Sequence, residues 1–150
     1  QAHAGIRDAQ ESRGLGDVYK RQLLSYGNEM TRGNNPLECN LEKFCDLNGS
    51  VQNIARSRLL EIAEQGVDQR IRGIVFEGTP SPPCGFPWPL ESNGQKVGYT
   101  TTVVWSPRLI TNLALAMIKK AYWETGDEVR VQLPDGSMRE GYVTDLPFSV

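Results

Sequence analysis

Histidine is almost missing from this chain: there is one, His3, in 150 residues. That excludes a Ser–His or Cys–His nucleophile–base pair from nearly the whole sequence, and with it any histidine-rich metal centre. Cysteine is scarce too. Cys39, Cys45 and Cys84 are odd in number, and the first two stand six apart, wider than zinc-ligand spacing. They read as free thiols of a protein in a reducing cytoplasm, with no metal site. No apolar run approaches the roughly 20 residues that cross a bilayer, and the first residues offer Arg7 but no apolar core of a secretory signal. Charge of one sign is not in excess either, the formal net charge being −2. Residues 1–22 hold four basic and three acidic side chains, which leaves 12 basic against 15 acidic in the remainder. That is no footprint for nucleic acid or an anionic membrane.

What is present divides at about residue 22. Residues 1–22 have scattered aliphatics and no hydrophobic period, so disorder is the physical expectation. Gly14-Leu15-Gly16 has neither a preceding strand nor a third glycine at the spacing of a phosphate loop. The string RGLGDVYKRQ resembles adaptor-derived read-through at the ends of translated metagenomic fragments, so residues 7–22 are expected to be artefactual. From Leu23 onward the sequence reads as folded protein. Thr31–Pro36 is a polar loop, and Leu37–Leu47 suits a strand or a helix. Asn48-Gly49-Ser50 is a turn. Ile54–Gln65 has helical spacing, with Ala55, Leu59, Ile62 and Ala63 on one face and Gly66 as its stop.

The period then changes to two. Gln69–Gly78 alternates as a strand, with Ile71, Gly73 and Val75 on one face and Arg72, Ile74 and Phe76 on the other. The five prolines of Thr79–Pro89 make a stiff loop. Strands are expected at Lys96–Trp105, Leu113–Lys119, Glu128–Leu133 and Met138–Thr144. Asn93-Gly94 and Asp135-Gly136 are hairpin dipeptides, and Thr125-Gly126-Asp127 is a further turn. Short strands at this spacing predict a small antiparallel barrel or Greek key.

Little in the sequence can do chemistry. Acid–base work would fall to carboxylates, and Glu29, Glu38 and Glu42 are near one another in sequence without any sign that they converge. Trp88, flanked by prolines, either walls a ligand pocket or caps a barrel end; packing is the favoured role.

Several short motifs occur in a fixed order. They are LSYGNEM at Leu24–Met30, Asn35-Pro36-Leu37-Glu38, then GQKVGYTT at Gly94–Thr101. WSPRL follows at Trp105–Leu109, NLALAM at Asn112–Met117, and Leu146-Pro147-Phe148 closes the set. This series resembles the C-terminal part of the glycine cleavage T-protein (aminomethyltransferase) superfamily over residues 23–148. The family pattern is L-x-Y-G-x-[DE], [NT]-P-[FLV]-E, G-x-x-V-G-x-x-T-S, S-P-x-L, N-[IL]-A and a terminal P-F. LLSYGNEM, NNPLEC and Trp88-Pro89 lean toward its dimethylsulfoniopropionate demethylase branch.

The resemblance implies an α+β chain: a remnant of the central folate-binding domain at 23–72, then a Greek-key-like β-barrel at 73–150. It implies a full-length parent that moves a methyl group from a small-molecule donor to tetrahydrofolate, with this part inactive alone. Two other roles fit the same barrel. One is the folate-binding end of a flavin-dependent sarcosine or dimethylglycine dehydrogenase, the other a non-enzymatic binding module. The family's pterin-binding glutamate, six residues before the motif tyrosine, corresponds to Lys20 here, and its catalytic aspartate belongs to an N-terminal half. No catalytic residue therefore carries over. Tyr26 and Glu38 match motif positions near the family's central cavity and are the candidate folate- or substrate-proximal residues.

Overall fold

The computed structural model describes residues 24–49 and 54–148. The expected non-globular segment 1–22, with its Gly-x-Gly string and Lys20, lies outside them, as does Ser50 of the predicted turn. Among the described residues six strands follow a single α-helix: β1 (Gln69–Phe76), β2 (Pro89–Ser92), β3 (Gln95–Ser106), β4 (Thr111–Lys119), β5 (Glu128–Gln132) and β6 (Met138–Thr144). Each expected strand forms within two residues of its predicted ends. Asn93 and Gly94 both have positive φ, 51° and 74°, which gives the β2–β3 hairpin the twist of its strands. The proline loop is shorter than read, because Pro89 opens β2 opposite Tyr99.

The strands close an antiparallel barrel in the order β1-β4-β3-β2-β5-β6, and β6 returns to β1. β2, β3 and β4 form a meander with β1 beside β4, which is the expected Greek key. β1 straddles the 72/73 division suggested by the sequence. In this ring β1 and β2 lie opposite one another, and so do β4 and β5. Both connections must therefore cross an end of the barrel. Glu77–Trp88 crosses one end and delivers Trp88, which is fully buried among Phe76, Leu90 and Val103. Lys120–Asp127 crosses the other and lays Tyr122 and Trp123 against the same core. Alternation along β1 is as read, with Ile74 and Phe76 inside the barrel and Ile71 outside it.

Two local expectations change. Leu37–Leu47 is neither strand nor helix: it is a series of turns with one 3-10 turn at Glu42–Phe44. Asn40 sits at φ 56°, and a single left-handed residue interrupts both regular geometries. The helix α1 (Arg56–Gln65) ends at Gly66, whose N–H reaches the Ile62 carbonyl at 2.8 Å. Its predicted apolar face is not buried, however. Leu59 and Ile62 are half-buried, while Ala55 and Ala63 are exposed, because no other described element packs over that face.

Candidate functional site

The two candidate residues lie on a strap, residues 24–49, that crosses the outside of the barrel. β1 explains why it is held there. Pairing with β6 begins only at Gly73, so the first half of β1 presents a free backbone edge that must be satisfied. The strap supplies the missing partners. The Ile71 N–H donates to the Glu38 carbonyl at 2.8 Å, and the Asn40 side-chain amide donates to the Ile71 carbonyl at 2.6 Å. Cys39, Ile71 and Met117 are buried between strap and barrel, with Met30, Leu41 and Tyr99 around them.

The three neighbouring glutamates do not share a task. Glu42 faces Arg70 at 3.5 Å. Glu38 turns its carboxylate back into its own loop, accepting from the Asn34 amide and the Asn35 N–H, both at 3.3 Å. Glu29 is the buried one, 3% exposed. It accepts the Thr102 hydroxyl with one oxygen and the Ser25 N–H, at 2.6 Å, with the other. That pair latches the start of the strap to β3. Glu29→Ala is expected to cost about 1–3 kcal/mol, since it strips a partner from two partly buried donors. Urea denaturation would give the cost. Faster amide exchange at Ser25–Met30 would distinguish an unlatched strap from global loss of stability, and Glu29→Gln should restore most of both.

Tyr26 is 71% exposed at the strap's first turn. Glu38 lies close enough to raise two neighbouring acids. Burial pushes the Cys39 thiol up, and the Glu38 charge adds to it. The Tyr99 phenol is likewise raised by burial first, then by Glu38 and Cys39. Both groups are therefore held neutral, which is the opposite of an activated nucleophile. Cys84 is also raised, chiefly by burial. Among the described residues no group of three or more His, Cys, Asp or Glu side chains could hold a metal ion. No described helix is long and apolar enough to cross a membrane.

The remaining motif residues are connectors. Asn112, fully buried on β4, accepts the Ser81 N–H and hydroxyl at 2.9 and 2.8 Å and donates to the Gly78 and Thr79 carbonyls. It thereby fixes the first turn of the proline loop. A Cβ on Gly98 would meet the Met117 carbonyl oxygen at 2.3 Å, so only glycine lets β3 approach β4 there. The Thr100 hydroxyl accepts the Trp88 N–H at 3.1 Å, and the Thr101 hydroxyl donates to the Leu115 carbonyl at 3.2 Å. The Ser106 hydroxyl accepts the Leu109 N–H at 3.2 Å and shapes the β3–β4 turn. Phe148 lies over Gly73 of β1. Sequence reading found these positions as motif members but could not assign their partners, because most of those partners are distant in the chain.

Comparisons with known proteins agree with this geometry. The model of the glycine cleavage T-protein C-terminal barrel domain matches residues 69–149. A dimethylsulfoniopropionate demethylase from Ruegeria pomeroyi is 40% identical over 124 residues, which covers 80% of this chain and 33% of that protein. An aminomethyltransferase from Symbiobacterium thermophilum is 34% identical over 130 residues, 87% of this chain and 34% of its own length. The chain thus spans about a third of these relatives. The crystal structure of the glycine cleavage system aminomethyltransferase T from Bartonella henselae superposes with a TM-score of 0.74 at 23% identity, over 86% of this chain and 36% of that one.

Proposed function

The chain belongs to the glycine cleavage T-protein family, whose C-terminal barrel it carries, and we propose that it serves as the C-terminal scaffold of a tetrahydrofolate-dependent methyltransferase acting on a sulfonium donor of the dimethylsulfoniopropionate type. The observation that carries this reading is the 40% identity to the demethylase, which extends beyond the barrel into the strap. In such a reaction a sulfonium is already a good leaving group. The protein's work is then to position donor and acceptor and to keep water out, rather than to supply a covalent intermediate.

The described residues fit a scaffold and not a folate pocket. Tyr26 is exposed, the Glu38 carboxylate is spent on its own loop, and the Asn112 and Thr100 side chains of the barrel motifs hold one backbone segment to another. No step is assigned to tetrahydrofolate on these residues. The acceptor and the groups that bind it belong, in this reading, to a preceding portion of a longer parent, and this part alone is inactive.

Grafting residues 24–148 into the Ruegeria pomeroyi demethylase in place of its matching third tests this. Folate-dependent demethylation should persist within about tenfold of the parent, read as formation of methyltetrahydrofolate. A folded chimaera without turnover would sink the donor assignment. Methyl transfer by the isolated chain would overturn its inactivity.

A further inference from the structure

The outer face of the β1–β6 seam carries a groove of about 870 Å³, open to solvent on one side. Strand alternation determines its lining. Tyr142 and Glu140 project from the outer face of β6, and Glu128 stands opposite Tyr142 on β5. Leu109 from the β3–β4 turn and Phe148 from the C-terminal tail wall it, and Glu77 closes the rim where β1 ends. Tyr142 is 48% exposed, with Val75 beside it on β1 and Glu128 on β5. Glu77, Glu128 and Glu140 are all exposed, and the four ion pairs among the described residues involve none of them. No lining residue is basic.

The seam offers no backbone edge, since Val75 pairs with Leu113 on one side and Tyr142 on the other. Strand addition is therefore excluded, and recognition must come from side chains. An apolar floor under three uncompensated carboxylates is complementary to a partner that brings both aliphatic anchors and positive charge. We propose that this groove docks a basic amphipathic polypeptide segment. One or two aliphatic side chains would sit against Leu109, Tyr142 and Phe148, and flanking Lys or Arg would face the three glutamates. This assignment does not rest on the methyl-transfer reading, which is carried by the identity to the demethylase and not by the groove.

The full chain, labelled with nitrogen-15, would be titrated with three synthetic helix-forming peptides. The first carries leucines at i and i+4 flanked by lysines, the second has glutamates in place of the lysines, and the third has serines in place of the leucines. Only the first should shift the amides of Glu77, Glu128, Glu140 and Tyr142, and added salt should weaken it. The triple variant E77Q/E128Q/E140Q should raise its Kd about tenfold, as three exposed pairs together are worth. Unmoved β3 and β4 amides in that variant would show an intact barrel. Absence of shifts, equal shifts with the glutamate or serine peptide, or an unchanged Kd in the triple variant would overturn the proposal. So would concentration-dependent shifts of the same amides without peptide, which would make a second copy of the chain the occupant.

Discussion

Trp88→Ala is expected to cost the fold about 3–5 kcal/mol, the usual penalty for emptying a large aromatic site in a core. The indole is fully buried inside the barrel, and it arrives there because the β1–β2 connection must cross the barrel end. Truncation would leave Phe76, Leu90 and Val103 lining a void. Trp88→Phe should be much milder, about 1–2 kcal/mol, because it keeps most of the packing. It also removes an indole N–H that is buried without a hydrogen-bond partner, and deleting an unsatisfied donor offsets part of the lost volume. Urea denaturation of the two variants, compared at constant m-value, checks the pair. If Trp88→Ala unfolded at the same midpoint as the unsubstituted chain, the tryptophan would be a pocket wall and not a core residue.

Asn112→Ala should come close to that, at about 3–4 kcal/mol, although it removes far less volume. Its amide is the shared partner of the Ser81 N–H, the Ser81 hydroxyl and the Gly78 and Thr79 carbonyls, and each group orphaned in a partly buried place costs about 1–3 kcal/mol before relaxation. Asn112→Asp separates the two halves of the amide. It keeps the acceptor for Ser81 but sets a negative charge against two carbonyl oxygens. Folding then favours the protonated carboxyl, which restores a donor. Such a variant binds more protons folded than unfolded, so its stability should rise as pH falls through the carboxyl's titration range. Thermal melts of Asn112→Asp across that range, set against Asn112→Ala, measure this. A flat difference between the two would mean that the donor half of the amide contributes nothing.

Both predictions concern residues that sequence reading had noticed for other reasons. Trp88 stood out as a tryptophan among prolines, and Asn112 as one letter of a motif. Their neighbours in the chain do not reveal the role of either. Trp88 is placed by closure of a six-stranded ring, and Asn112 by a loop that begins on β1 and returns over β4. Glu29 makes the same point. In sequence it was one of three nearby acids, and its distinction lies in Thr102 on β3, far along the chain.

What the sequence determined by itself is local or negative. Asn93-Gly94 set a hairpin because both residues tolerate positive φ. The period-two pattern of β1 sorted its faces correctly, Gly66 stopped the helix, and the single histidine, His3, left the rest of the sequence without an imidazole. The ordered motifs were enough to identify the family. The tertiary structure decided the order in which the barrel closes and the fate of Leu37–Leu47. It also decided which carboxylate is buried, and that the signature residues act as connectors. Backbone preference depends on residues adjacent in the chain. Burial and hydrogen-bond partnership depend on segments many residues away, which meet only when the barrel has closed.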